Sequence, residues 1–223
     1  AATRTSIQSA LDKLKKGDAV SGLPSFAGSR GGVSVEKQLN ELVATWGPVS
    51  ENAEKILSRK ELVLDLADSA SAFSASVPQL QAQMDEVVRA MSESGAPSTQ
   101  IYIAVRQIVL ADRMLRYVTQ ILQGGAAAVS AADRFSRDYS MFGQVLVGLD
   151  SGSADQGIRR VDSGAGRQAL GRVAEGFAKA KQDVEFILDA STQLFEVKES
   201  SDTIFVESEQ LLAKARALNT AID

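Results

Sequence analysis

The chain has 223 residues, of which 44% are hydrophobic and 5% aromatic, and its 24 basic and 28 acidic side chains leave a net charge of −4. This hydrophobic content is enough to bury a core. Few aromatic residues and an excess of Ala, Ser, Leu and Val are typical of helical bundles. Because charges of both signs are interspersed, no basic stripe indicates nucleic acid, and we expect none as a partner.

Histidine and cysteine are both absent from the chain. Without them there is no thiolate nucleophile, no imidazole base, and no zinc or di-iron site of the Glu-x-x-His type. A pair of carboxylates could still carry out acid–base chemistry, but every Asp and Glu lies in an ordinary helical context. We therefore predict that the protein is not an enzyme and has no catalytic residue, metal or cofactor.

The first half of the chain is predicted to contain a short helix, a loop at 15–34 and one long helical rod over 35–91. Apolar residues recur every seven positions along this rod, at Leu42, Val49, Ile56, Val63, Ala70, Val77, Met84 and Met91. A sustained heptad indicates a helix that buries one stripe. Pro48 and Pro78 each remove an internal hydrogen bond and predict kinks. The alternative is three helices in series.

Two medium helices and a second rod follow. The spacing of Ile101, Ile108, Leu115 and Leu122 predicts a helix over 98–122. The sequence SAAD at 130–133 predicts a capping box that opens a helix over 129–150. From about residue 167 to 222 another heptad series predicts a second long rod. No apolar run approaches the ~20 residues that cross a bilayer.

The two rods belong to an internal repeat. An offset of 131 residues places Trp46 on Phe177 and Leu57 on Leu188, and large apolar residues fall on large apolar residues along both rods. Upstream, an offset of 135 places apolar residues of the first helix on apolar residues of 142–149, and Gly17 on Gly152. We interpret Trp46, Phe177, Leu57 and Leu188 as structural core anchors of a duplicated module.

The repeat predicts an all-α fold of two tandem antiparallel helical-bundle modules linked by long continuous helices. Residues 1–95 are predicted to form the first module and 96–223 the second. Two whole helices precede Gly152, whereas only 16 residues precede Gly17. We therefore expect the first module to lack its first helix and the chain to be a piece of a longer protein.

Four stretches of the sequence resemble a known family: VPQLQAQMDEVVRAMSESGAPSTQ (77–100), DRMLRYVTQILQG (112–124), SAADRFSRDYSMFGQVLVGL (130–149) and FILDASTQLFEVKESSDTIF (186–205). They are similar to the sensory region of the PilJ family of type IV pilus methyl-accepting chemotaxis proteins. The resemblance runs from about residue 43 to the end. It implies the periplasmic segment of an inner-membrane receptor.

The same resemblance implies partners and an output. Members of this family are homodimers that report a surface cue, such as pilin or another pilus component, to a cytoplasmic chemosensory kinase that controls twitching motility. From the residues alone, two other classes stay open, which are a helical scaffold and a pilus-associated adhesin or binding protein without a signalling role. Only the resemblance favours the receptor.

The resemblance also indicates a ligand-binding residue. Residues 111–118, ADRMLRYV, are similar to a first-helix segment shared with nitrate sensors, in which an arginine holds a small anion at the dimer interface. The matching residue is Arg113. Tyr117 stands where a second basic residue would follow one turn later.

The helical pattern places Arg113 independently of the resemblance. If Ile108 and Leu115 face the core, Arg106 and Arg113 lie on the opposite side of their helix and point outward. A guanidinium there is suited to a carboxylate or phosphate across an interface. We therefore take Arg113 and Arg106 as candidate ligand-binding residues, and we expect Asp138 to pair within its own helix.

Overall fold

A computed structural model of the protein describes residues 2–26 and 32–222. These residues form six α-helices and contain no β-strand. The predicted all-α fold is confirmed. The helices are α1 (Ala2–Lys16), α2 (Gly32–Ser58), α3 (Lys60–Glu93), α4 (Ser98–Gln123), α5 (Gly125–Ser151) and α6 (Gly164–Ile222).

The predicted rod over 35–91 is two helices, so the single-rod prediction is wrong. α2 ends at Ser58 and α3 begins at Lys60. Between them the backbone N–H of Arg59 donates to the carbonyl of Ile56, three residues back, at 3.1 Å. This tighter bond interrupts the regular α-helical ladder for one residue. The heptad keeps its phase across the interruption, which is why the sequence pattern does not reveal it.

Neither proline ends a helix. Pro48 lies inside α2 and Pro78 inside α3, so the alternative of three helices in series is also wrong. The start predicted for α5 is wrong as well, because the helix begins at Gly125 rather than at a capping box over 130–133. Its N-cap, Gly124, makes no side-chain capping bond.

The chain forms two compact units. Unit 1 comprises residues 1–60 and 196–223, and unit 2 comprises residues 61–195. The 59-residue helix α6 contributes its first part to unit 2 and its last part to unit 1. The division into modules at 1–95 and 96–223 follows the order of the repeat in the sequence, and it stays a prediction.

Unit 2 is a bundle of α3, α4, α5 and the first part of α6. Their buried apolar residues form one continuous core that includes Leu66, Met84, Met114, Leu149 and Ile187. Phe73 and Phe135 meet edge to face in this core, with ring centroids 5.2 Å apart. Burial of many apolar side chains from all four helices holds this unit together.

Unit 1 has a smaller core built from α1, α2 and the last part of α6. Leu11 is the buried apolar residue of α1, and Leu218 is that of the last part of α6. Trp46 of α2 is 5% exposed, and its indole Nε1 donates to Gln8 Oε1 at 2.8 Å. On α6 the side chains of Phe205 and Leu212 are 80% and 53% exposed.

The four predicted core anchors have different environments. Trp46 is buried, and Phe177 and Leu188 are partly buried against the core of unit 2. Leu57 is 40% exposed and lies at the surface, so its assignment to the core is wrong. Its neighbour Ile56 occupies the inward heptad position of that turn, and α2 ends one residue after Leu57.

The turns after α1 and α5 have the same hydrogen bonds at an offset of 135 residues. The N–H of Gly17 donates to Lys13 at 2.7 Å, and that of Gly152 donates to Gly148 at 2.8 Å. Asp18 exchanges two backbone bonds with Leu23, as Ser153 does with Ile158. Each loop then bonds back to its helix, through Phe26 to Leu14 and through Val161 to Leu149.

These matching turns support the duplication inferred from the sequence. The offset of 135 persists to Phe26 and Val161, so the change to 131 falls between there and the start of the following helix. In unit 2, Gln100 of α4 also holds the loop, since its side chain donates to Gly157 and accepts from Arg159, both at 2.8 Å.

Replacing Gly152 with alanine should destabilise the protein by about 1–3 kcal/mol, because its φ of 86° and ψ of 150° suit almost no residue except glycine. Urea denaturation followed by circular dichroism measures the effect. Gly164→Ala is the control, since a Cβ there meets nothing within 4 Å and the residue has no positive φ. Equal urea midpoints for the two variants would contradict the expectation.

Amide hydrogen exchange should be faster in α1 than in α5, although the repeat makes these helices equivalent. α1 has one buried residue, whereas α5 has nine, and sparse burial lowers the free energy of local opening. Exchange followed by mass spectrometry on peptides from 2–16 and 126–151 tests this. Slower exchange in α1 would show that its few contacts protect it better than the core of unit 2 protects α5.

Candidate functional site

Arg113 of α4 binds Asp138 of α5 within unit 2. Its Nε donates to Asp138 Oδ2 at 2.8 Å, and a terminal nitrogen donates to Oδ1, which makes the pair bidentate. The Asp138 side chain is 7% exposed and that of Arg113 is 40% exposed. The hydrogen bonds from Asp138 raise the pKa of the guanidinium. The pair satisfies a carboxylate that would otherwise be buried alone.

Two expectations about this pair are wrong. Asp138 pairs between helices, not within its own, and Arg113 does not simply point outward. The reason is the rotation of α4: its buried face follows Ala104, Leu110, Ala111, Met114, Val118 and Ile121, while Leu122 is exposed. Ile108 and Leu115 are only partly buried. Arg113 lies at the edge of the interior, where its side chain is partly exposed and reaches the buried Asp138.

Arg106 makes a different contact. Its guanidinium carbon lies 5.9 Å from the centroid of the Tyr102 ring, and the Tyr102 side chain is 62% exposed. This distance is at the limit of a cation–π interaction, which is weak at a solvated site. The two arginines therefore have separate partners, Asp138 of α5 for Arg113 and Tyr102 of α4 for Arg106. Their role as ligand-binding residues stays a prediction, and an anion at Arg113 would compete with Asp138.

An open groove lies between α5 and α6 of unit 2, and we call it the unit 2 groove. It has a volume of about 760 Å³, within the usual range of small-molecule sites. Leu146 and Leu170 are buried beneath it, while Val147 is exposed along its rim. No lysine or arginine lines the groove, and Asp150 is its one carboxylate.

Stacked aromatic rings close one side of the unit 2 groove. The Phe177 ring centroid is 4.3 Å from that of Tyr139 and 5.1 Å from that of Phe142. A Cβ on Gly143 would come within 3.1 Å of the Phe177 ring, so glycine lets the ring lie against α5. Burial, with a smaller contribution from Glu185, raises the pKa of Tyr139 to about 12. The phenol is neutral at physiological pH.

The matching place in unit 1 has the opposite character. A groove of about 510 Å³ there is lined by polar and charged residues of α1 that include Arg4, Gln8, Asp12 and Lys13. At the offset of 135 these four align with Tyr139, Gly143, Val147 and Gly148. Arg4 pairs with Glu54 at 2.8 Å, and Gln8 accepts the bond from Trp46. The chain's own side chains therefore bridge this groove.

The missing first helix predicts an open apolar groove beside residues 1–16 and 35–60, and the groove observed there is polar and charged instead. Sequence reasoning did not identify the unit 2 groove. The available signal was the repeat itself, because residues with side chains in one copy are glycine in the other. Gln8 and Lys13 become Gly143 and Gly148, and Asn40 becomes Gly171 at the offset of 131. At Gly171 the lost side chain leaves open space, whereas Phe177 and Ile158 fill the space beside Gly143 and Gly148. Helical periodicity reports only which positions are apolar.

The described part of the chain contains neither a candidate metal site nor a helix that could span a membrane. Residues 2–26 and 32–222 contain no group of three or more acidic, histidine or cysteine side chains placed to hold a metal ion. Within the same residues, no helix combines the length and the apolar character that crossing a bilayer requires.

Comparison with known proteins gives two relatives of much greater length. The putative methyl-accepting chemotaxis protein AlkN of Alcanivorax borkumensis is 36% identical over 192 residues, which are 86% of this chain and 28% of AlkN. Protein PilJ of Pseudomonas aeruginosa is 37% identical over 185 residues, which are 83% of this chain and 27% of PilJ. The chain thus spans little more than a quarter of either relative. No family model matches it.

Replacing Arg113 with alanine should destabilise the protein by about 2–3 kcal/mol, because Asp138 would be left buried without its partner. The half-exposed guanidinium keeps this below the ~3–5 kcal/mol of a fully buried pair. Arg116→Ala is the control, since its pair with Asp112 is exposed and worth only about 0.5 kcal/mol.

Thermal and urea unfolding of both variants measure this difference. Adding Asp138→Leu to Arg113→Ala should recover part of the lost stability, because it removes the unpaired carboxylate. If Arg113→Ala is no more harmful than Arg116→Ala, the pair is not structural, and Arg113 is then free for another role.

Proposed function

This chain is a PilJ-like region with chemoreceptor relatives, and we propose that it is the signal-sensing region of a receptor that controls type IV pilus twitching motility through a chemosensory kinase. The observation that carries the proposal is the 37% identity to PilJ over 185 residues. This length exceeds unit 2 (residues 61–195), so the similarity also reaches into unit 1.

We propose the periplasm as the location of this region and an inner-membrane receptor as the whole protein. We also propose a homodimer, with pilin or another surface component as the cue and a cytoplasmic kinase or adaptor as the downstream partner. The support is the similarity to PilJ and to a methyl-accepting chemotaxis protein. These relatives are chemoreceptors, which agrees with a protein that is not an enzyme.

Helix α6 supplies the proposed route of the signal. Its residues Leu170 and Phe177 contribute to the unit 2 groove, and the same helix runs to Ile222 without interruption. Each residue of an α-helix is hydrogen-bonded to the next turn, so a rotation or shift can pass along it. We propose that a cue changes the packing of α6 between two arrangements and that this difference is the output.

Insertions after Ile222 in a full-length receptor should separate rotation from length. One inserted alanine turns the following residues by ~100° and advances them by ~1.5 Å, whereas seven leave only ~20° of rotation but add ~10 Å. If the face of the helix matters, one or two alanines should lock or invert the output, and seven should largely preserve regulation.

Twitching motility and kinase activity are the two measurements for this series. Protein level and membrane fraction serve as controls for each insertion. Normal regulation in all three insertions would show that α6 acts as a spacer, as in the helical-scaffold alternative. Kinase activity that never depends on the receptor would instead support an adhesin without a signalling role.

A further inference from the structure

We propose that the unit 2 groove is a binding site for a small, uncharged and mainly apolar organic molecule. The binding claim stands on the groove itself. It depends on the proposed function only for its consequence, which is that the bound molecule would be a signal passed through α6.

The first argument is the space in the groove, for which unit 1 is an internal comparison. In unit 1 the equivalent groove is smaller, about 510 Å³ against about 760 Å³, and the chain's own side chains bridge it, with Gln8 bonded to Trp46 and Arg4 bonded to Glu54. In unit 2 the position of Gln8 is Gly143. The two copies thus keep the same backbone turn. The Phe177 ring packs against Gly143, and the groove of unit 2 is the larger of the two.

Gly171, a second glycine in the groove, has no packing contact that requires a glycine there. A Cβ built on Gly171 meets no atom within 4 Å, and the equivalent residue of unit 1 is Asn40. A glycine in a helix costs about 1 kcal/mol relative to alanine. At Gly171 no close contact with the rest of the chain offsets that cost. Because Gly171 lines the groove, its missing side chain leaves room for a bound molecule.

The second argument is the chemistry of the lining. The buried Leu146 and Leu170 and the ring of Phe177 offer apolar surface, and no cation is present to hold an anion. Asp150 would repel one. At the polar end, the amides of Gln144 and Gln156 lie 3.4 Å apart and could each exchange a hydrogen bond with a single polar group. These features favour a neutral molecule with one polar atom or few.

The test uses the whole 223-residue chain and a neutral dye, N-phenyl-1-naphthylamine, whose fluorescence rises in apolar surroundings. We expect saturable binding to the unaltered chain. The double variant Gly171→Asn with Val147→Asp introduces the residues that unit 1 has as Asn40 and Asp12. It should weaken dye binding at least tenfold, because it adds bulk and a charge at the rim.

The matched control is Gly47→Asn with Val129→Asp, which makes the same changes at an exposed helical glycine and an exposed valine that do not line the groove. It should bind dye like the unaltered chain. Circular dichroism and thermal unfolding check that both variants are folded. Equal dye affinity in the two double variants, or no saturable binding to the unaltered chain, would overturn the proposal.

A competition experiment tests the charge preference. Indole should displace the dye, and indole-3-carboxylate, which has the same ring with a negative charge, should require at least tenfold higher concentration. Equal displacement by the two would refute the neutral-ligand assignment. These results come from the isolated chain, so they are separate from the insertion series in the full-length receptor, on which the proposed function depends.

Discussion

The reversal of the chain after α5 is the constraint on which the geometry of unit 2 depends. Gly152 adopts a φ of 86°, which a side chain would oppose, and its N–H returns to the carbonyl of Gly148. Val161 then bonds back to Leu149 and fixes where the chain begins α6. These bonds set the spacing of α5 and α6, and that spacing defines the groove between them. The same bonds recur in unit 1.

The helices and most of their buried faces could be predicted from the sequence because periodicity is a local property. The heptad residues Leu42, Val49, Val77 and Met84 are all buried. The interruption at Arg59 could not be predicted, since no glycine or proline marks it and the apolar phase continues through it. Pro48 and Pro78 lie inside their helices, as expected from the unbroken heptad phase, because a helix held by tertiary packing can accommodate a lost hydrogen bond. The kinks stay a prediction.

The candidate site was less predictable because it depends on contacts between helices. The buried face of α4 includes Ala104 and Ala111 and differs from the face that its large apolar residues indicate, and in this rotation Arg113 meets Asp138. A pattern of large apolar residues does not contain that information. The unit 2 groove includes Gly171, where no side chain fills the space, and Gly143, where the missing Cβ lets the Phe177 ring pack against α5; no apolar pattern reports either. Only the comparison of the two copies makes these glycines informative.

The duplication has also left the two units optically different. The chain has a single tryptophan, Trp46, and it is buried in unit 1 with its indole bonded to Gln8. The equivalent residue of unit 2 is Phe177. Indole emission therefore reports on unit 1 alone, whereas circular dichroism reports on all six helices. A difference between the two signals during denaturation would measure how far one unit can melt while the other stays folded.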